Sequence, residues 1–218
     1  IIFLSISSYI SPNFSIFSIF FFIKFLSIFK LDKRIIFLFF LNILLALPAF
    51  QFIFVEKHNF LFSAVAINTN EINQFNYSNK ILLISSIIFF YLIPFLYTKI
   101  LNLNFSKKDL ILSFLIFFIC IFYFNYSPSF SGGGIFFKIS YFLFENYLLF
   151  MIFSFLGIYS IINLFKNELF NILFFLLLLL SNPQLSIYHK YYDPLFIILL
   201  FTILNTKIDF TKFKKINN

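Results

Sequence analysis

His189 and Lys190 stand side by side in Ser181-Asn182-Pro183-Gln184-Leu185-Ser186-Ile187-Tyr188-His189-Lys190-Tyr191-Tyr192-Asp193, a dense run of polar and ionisable residues in a chain only 11% charged. His189 is a candidate acid or base and equally a hydrogen-bonder at the level of lipid headgroups. Lys190 offers a cation to a phosphate, either that of a substrate or that of a lipid to which its long stem could snorkel. Tyr188, Tyr191 and Tyr192 recur at i, i+3 and i+4, the spacing of one helix face. They serve either as interface anchors or as platforms on which a sugar stacks. Asp193 followed by Pro194 matches an N-cap with proline at the first helical position, a structural role for both.

Other polar clusters carry less chemistry. Ser131-Gly132-Gly133-Gly134 supplies backbone freedom and not a phosphate cradle, because the Gly-Lys-Ser/Thr of a Walker loop and the second glycine pair of a dinucleotide site are both missing. The apolar run Ile135 to Phe144 after it, with Lys138 as its one charge and Glu145 at its close, reads as a helix at the membrane interface. Lys138 joins the candidate substrate-binding residues. Glu56 and His58 could form an acid/base pair, yet residues at i and i+2 do not share a helix face. Asn76 and Asn125 each open an Asn-Tyr-Ser triplet, a glycosylation sequon that an Asn- and Ser-rich chain also produces by chance. The single cysteine, Cys120, lies inside an apolar run, which excludes an intrachain disulfide framework and a Cys-based metal site; it reads as a small buried hydrophobe. No metal site and no cofactor is implied.

The elements that must hold these residues follow from composition. The 218 residues are 61% hydrophobic and 25% aromatic, where a soluble domain has about a quarter of its residues charged. The expected fold is all-α, a polytopic transmembrane helix bundle. Forty-two Phe, no Trp and basic residues that are nearly all Lys reflect in part an A+T-rich coding sequence. A bilayer core of about 30 Å asks for about 20 apolar helical residues. By that ruler the spans are Phe14 to Phe29, Ile35 to Phe54, Ile81 to Thr98, Leu110 to Tyr126, Tyr147 to Phe165, Leu169 to Leu180 and Pro194 to Leu204. Ile1 to Ile10 reads as the end of an earlier helix, or as joined to the next segment in one kinked helix, giving about seven spans plus a truncated N-terminal one. Residues 1–206 are then the transmembrane domain and 207–218 a basic tail. A chain that begins Ile1-Ile2-Phe3, without a start Met and inside an apolar run, reads as the C-terminal part of a larger protein.

Alternate connections sort the sixteen basic residues into twelve and four. Lys24, Lys30, Lys33, Arg34, Lys99, Lys107, Lys108, Lys166 and the tail lysines form one set. Lys57, Lys80, Lys138 and Lys190 form the other. Positive charge is retained on the cytoplasmic side, so the tail is expected there and the longer connections, Val55 to Lys80, Ser127 to Asn146 and Ser181 to Asp193, outside. The formal charge of +8 is thereby explained by topology, and nucleic acid is not an expected partner. No acidic residue lies centrally in a span, which argues against an ion-driven transporter. Leu169 to Leu180 and Pro194 to Leu204 are both short, and short hydrophobic segments flanking a polar linker point to a substrate cavity.

Lys190-Tyr191-Tyr192-Asp193-Pro194-Leu195 resembles a pattern of the GT-C superfamily of membrane glycosyltransferases: a basic residue, Tyr, two further residues and Pro, then an apolar helix near the C-terminus on the outer face. The His189-Lys190 pair is similar to a motif of some mannosyltransferase members. The resemblance implies an inverting transfer of a sugar from a polyprenyl-phosphate donor at an extracytoplasmic site. Lys190, with His189, would contact the lipid-linked phosphate, and Tyr191 and Tyr192 would shape the pocket. The catalytic carboxylate of such enzymes belongs to a first outer loop, expected upstream of Ile1. The implied partners are the bilayer, a lipid-linked sugar and an acceptor glycan, lipid or protein, in a multi-pass protein of the bacterial inner membrane. Two other classes fit the same composition: an O-antigen polymerase or flippase-like protein, and a non-enzymatic transporter or assembly subunit.

Overall fold

A computed structural model describes residue 6 and residues 13–29, 32–50, 76–98, 103–128, 132–165, 168–181 and 187. Among the described residues there are seven helices and no strand. They are α1 (Asn13–Phe29), α2 (Lys33–Phe50), α3 (Tyr77–Tyr97), α4 (Lys107–Phe122), α5 (Gly134–Phe144), α6 (Leu148–Phe165) and α7 (Leu169–Ser181). The all-helical class expected from the sequence is thus observed. α3 and α6 are long and apolar enough to cross a membrane, two of the seven spans the sequence suggested. Pro194 to Leu204 lies outside the described residues.

Local signals in the sequence set the helix ends. The Asn76 side chain accepts from the Asn79 N–H and caps α3, which therefore begins four residues earlier than hydropathy alone suggested. Ser106 caps α4 in the same manner, accepting from the Asp109 N–H. The carbonyl side chain of Asn146 accepts from the Leu148 N–H at the start of α6. α5 ends on Glu145, whose φ of 52° is left-handed and stops the helix where the polar residue stands in the sequence.

The chain divides into two compact units, Ile1–Phe75 with Ile172–Leu185, and Asn76–Asn171 with Ser186–Asn218. In the first, α1 and α2 pack through a tilted Phe22–Phe39 pair and a buried hydrogen bond from Asn42 Nδ2 to Ser18 Oγ at 2.9 Å. Phe20 is fully buried and meets the edge of Phe174.

In the second unit α3 and α6 pack closely at Gly157. A Cβ on Gly157 would fall deep inside van der Waals contact with the Ser85 carbonyl oxygen, so only glycine permits this crossing. Ser85, Ser154 and Ser160 are fully buried beside it. α4 flanks this pair with an inverted distribution of side chains. Asp109, Ser113 and Cys120 face inward, while Ile111, Phe114, Leu115, Phe118 and Phe122 lie outside. Phe114, Phe118 and Phe122 form a ladder of rings along that outer face. Polar and small residues inside with large apolar residues outside is the reverse of packing against water.

Candidate functional site

The two ends of α4 carry two polar networks. At its C-terminal end Asn76 Nδ2 donates to the Tyr123 carbonyl at 2.9 Å and to Asn125 Oδ1 at 2.7 Å. Asn79 Nδ2 donates to the same Asn125 oxygen at 2.8 Å, and the Asn125 N–H returns a bond to Asn79 Oδ1 at 3.0 Å. The two Asn-Tyr-Ser triplets thus engage each other, fastening the start of α3 to the end of α4. Lys80, in the first turn of α3, is buried, and its Nζ lies 5.7 Å from the centroid of the Tyr77 ring. Nothing local announces this burial: a lysine at the edge of a span reads as a topology signal.

Next along the chain, Gly132, Gly133 and Gly134 adopt φ values of 106°, 88° and 83°, which other residues rarely adopt. The Gly133 N–H donates to the Ile187 carbonyl at 2.8 Å, and a Cβ on Gly132 would come within 2.5 Å of that oxygen. The Ile187 N–H points to the Tyr126 hydroxyl at 3.4 Å. Ile187, 1% exposed, is thus gripped through both its backbone polar groups. The glycines do more than give the connection freedom: they let one backbone lie directly on another.

An aromatic cluster supports this junction from behind. Phe137 is fully buried one turn into α5 and makes an edge contact with Tyr126 at 5.1 Å. It stacks on Tyr147 at 5.6 Å and meets the edge of Phe150 at 5.2 Å. Ser140 ties α5 to α6, its hydroxyl donating to the Asn146 carbonyl at 2.7 Å and accepting from the Phe150 N–H at 3.2 Å. Lys138 projects from the same short helix. Its Nζ donates to the Pro128 carbonyl at 3.3 Å and lies 5.7 Å from the Phe142 ring centroid.

Of the candidate site residues, Lys138 is described; His189, Lys190, Tyr191 and Tyr192 lie outside the described residues, as do Tyr188, Asp193, Glu56 and His58. The structure brings together Tyr126, the Gly132-Gly133 pair and Ile187, the one described residue between Asn182 and Asp193. Their spacing in sequence, 61 residues from Tyr126 to Ile187, concealed that meeting.

The opposite end of α4 holds a second network. Asn163 Nδ2 donates to the Asn104 carbonyl at 2.6 Å and to Asp109 Oδ2 at 3.1 Å, and the Asn104 N–H donates to Asn163 Oδ1 at 3.2 Å. The Tyr159 hydroxyl donates to the Asn104 carbonyl at 3.3 Å, and Ser113 Oγ to the Asp109 carbonyl at 2.6 Å. Asp109 and Asn163 are both buried. Among the described residues no group of three His, Cys, Asp or Glu side chains could hold a metal ion.

Comparison of the chain with protein-family models, with curated proteins and with solved structures finds no match.

Proposed function

We propose that the chain is a multi-pass integral membrane protein and part of a glycosyltransferase that draws on a polyprenyl-phosphate-linked sugar. The membrane reading is supported by α4. Its buried side is Asp109, Ser113 and Cys120 and its outer side a ladder of phenylalanines, an arrangement favoured where lipid is the solvent. α3 and α6, apolar over a membrane's width, agree with it. In this reading about seven helices cross the bacterial inner membrane, the basic tail is cytoplasmic, and the connections bearing Tyr126, Gly133 and Ile187 face outward.

The transferase reading starts from the Lys190-Tyr191-Tyr192-Asp193-Pro194 motif, and one contact carries it further. The Gly133–Ile187 hydrogen bond fixes the connection between α4 and α5 to the residue that precedes Tyr188 and His189 in the sequence. A backbone-to-backbone bond of this kind holds Ile187 itself whatever its side chain does. In such a transfer a carboxylate deprotonates an acceptor hydroxyl, the alkoxide oxygen attacks the anomeric carbon, and the polyprenyl phosphate leaves with the bonding electrons. Lys190, with His189 and Lys138, neutralises the charge that develops on that phosphate. Tyr191 and Tyr192 shape the sugar pocket.

The test is transfer of labelled sugar from polyprenyl-phosphate hexoses in vesicles containing the full-length protein. Lys190→Ala is expected to lower transfer about 100-fold or more, the scale of one lost charge-stabilising group, with insertion into the membrane unchanged. Correctly inserted wild-type protein that transfers no sugar from any such donor would overturn the reading.

A further inference from the structure

The corner between α5 and α6 carries a stack of rings graded from core to surface. Phe137 is fully buried, Tyr147 is half-buried, and Tyr141, one turn beyond Phe137 on α5, is 37% exposed. The Tyr147 ring lies nearly parallel to both, 15° from Phe137 at 5.6 Å and 23° from Tyr141 at 6.2 Å. Phe142 meets Tyr141 edge-on at 5.9 Å, so the outermost ring of the stack is braced on a second side. The corner itself is fastened by the Ser140 hydroxyl, set between the Asn146 carbonyl and the Phe150 N–H, and by Asn146 Nδ2, which donates to the Phe144 carbonyl at 2.9 Å.

Glu145 stands in this corner, tied to Tyr141 by its own N–H, which donates to the Tyr141 carbonyl at 2.9 Å. Among the described residues it is the one non-glycine residue with a positive φ, 52°, at a helix end where glycine or asparagine is the stable choice. A glutamate costs stability at such a position, which favours a role for its carboxylate outside the fold. The residue is exposed, and none of the hydrogen bonds that fasten the corner uses that carboxylate.

A braced, exposed aromatic ring joined to an exposed glutamate matches the chemistry of a sugar. The C–H bonds of one pyranose face pack on the negative π face of the ring, and hydroxyls on the rim of the sugar donate to the carboxylate. We propose that Tyr141 and Glu145 form a subsite for a neutral hexose, which in the transferase reading above, on which this role rests, belongs to the acceptor glycan. Charge separates acceptor from donor. The negative Glu145 repels a sugar phosphate, whereas Lys138, assigned above to the donor's phosphate, precedes Tyr141 by three residues on the same helix. One short helix thus offers a cation to the leaving group and, about 10 Å further along, an anion to the hydroxyls of the incoming sugar.

The full-length protein in lipid nanodiscs, free of sugar-based detergent, is probed by saturation-transfer NMR with the methyl glycosides of glucose, galactose and mannose. Saturation of the ring C–H protons of at least one glycoside is expected, with hexose phosphates binding more weakly. Tyr141→Phe retains the signal, whereas Tyr141→Ala weakens binding about tenfold, the scale of one aromatic contact. Glu145→Gln weakens it about fivefold, the scale of one charge-assisted hydrogen bond, and removes the discrimination against the phosphates. Glu145→Gly weakens it likewise while raising the thermal midpoint, because glycine suits the left-handed φ. No saturation of any glycoside by the folded wild-type protein would overturn the proposal, as would binding that neither Tyr141→Ala nor Glu145→Gln changes. Both are read without donor or turnover. Sugar transfer without Tyr141-dependent binding therefore counts against this subsite alone, and Tyr141-dependent binding without transfer against the transferase reading alone.

Discussion

The Gly133 N–H and the Ile187 carbonyl, 54 residues apart in sequence, are joined by a 2.8 Å hydrogen bond that no side chain mediates. Its specificity lies in what is missing. A methyl group on the adjacent Gly132 would stand 2.5 Å from the same oxygen, at a φ of 106° that an L residue rarely adopts.

Gly132→Ala is therefore expected to separate this junction. The strained φ alone costs about 1–3 kcal/mol, and the steric overlap adds to it. Thermal unfolding in detergent, followed by circular dichroism, should show a lowered midpoint. Equal midpoints for Gly132→Ala and wild type would remove the tight junction from the account.

The inverted packing of α4 makes a prediction about its one thiol. Cys120 is 3% exposed on the inner side, and Phe118, two positions earlier, is 49% exposed on the outer side. In membranes, a lipid-soluble maleimide should leave Cys120 nearly unreacted. It should label Phe118→Cys, in a Cys120→Ala background, roughly an order of magnitude faster, since access governs thiol reactivity. Faster labelling of the native thiol would reverse the assignment of the two faces.

Asn163 bridges Asp109 and the Asn104 carbonyl with one amide. Asn163→Leu keeps a branched outline but takes a donor away from the buried Asp109 carboxylate and from the Asn104 carbonyl. The expected loss is about 2–3 kcal/mol, the scale for removing one partner of a buried polar pair that includes a charged group. Equilibrium unfolding in mixed micelles measures it. Asp109→Asn combined with Asn163→Leu should cost less than the sum of the two single changes, because the partners share one interaction. Strict additivity would show that the bridge contributes nothing.

Lys107 opens α4, whereas Lys138 lies on α5 beyond its other end. If α4 crosses the bilayer, cysteines placed at these two positions should react with a membrane-impermeant maleimide from opposite sides, Lys138→Cys from outside and Lys107→Cys only after the vesicles are opened. Labelling of both from one side would rule out a crossing by α4.

Much of the helical framework could be read directly. Apolar runs interrupted by Asn, Ser and Asp gave α1, α2, α3, α4, α6 and α7 to within a few residues at most ends, because side-chain caps and hydropathy are local properties. The start of α3 is a miss with a clear cause: Asn76 caps the helix, and the polar residues Tyr77 to Lys80 form its first turn, so hydropathy began the segment too late. The glycine triplet was legible as a turn but not as a clamp. Lys80 was legible as a charge and not as a buried one. Lys138 was noticed as the lone cation of its helix, but its relation to Pro128 and Phe142 became visible only in three dimensions.

By itself the sequence determined that the chain is helical, strongly apolar and interrupted by a few polar breaks, since composition and capping act residue by residue. Tertiary structure decided which breaks meet: Asn76 and Asn79 with Asn125, Gly132 and Gly133 with Ile187, Asn104 and Asp109 with Asn163. It also decided which face of α4 is turned inward, a choice that its nearly uniform apolar sequence does not encode by periodicity. The physical reason is the same in each case. Buried polar groups must find partners and a glycine permits close approach only where another backbone arrives, and both requirements are fulfilled by residues distant in the chain.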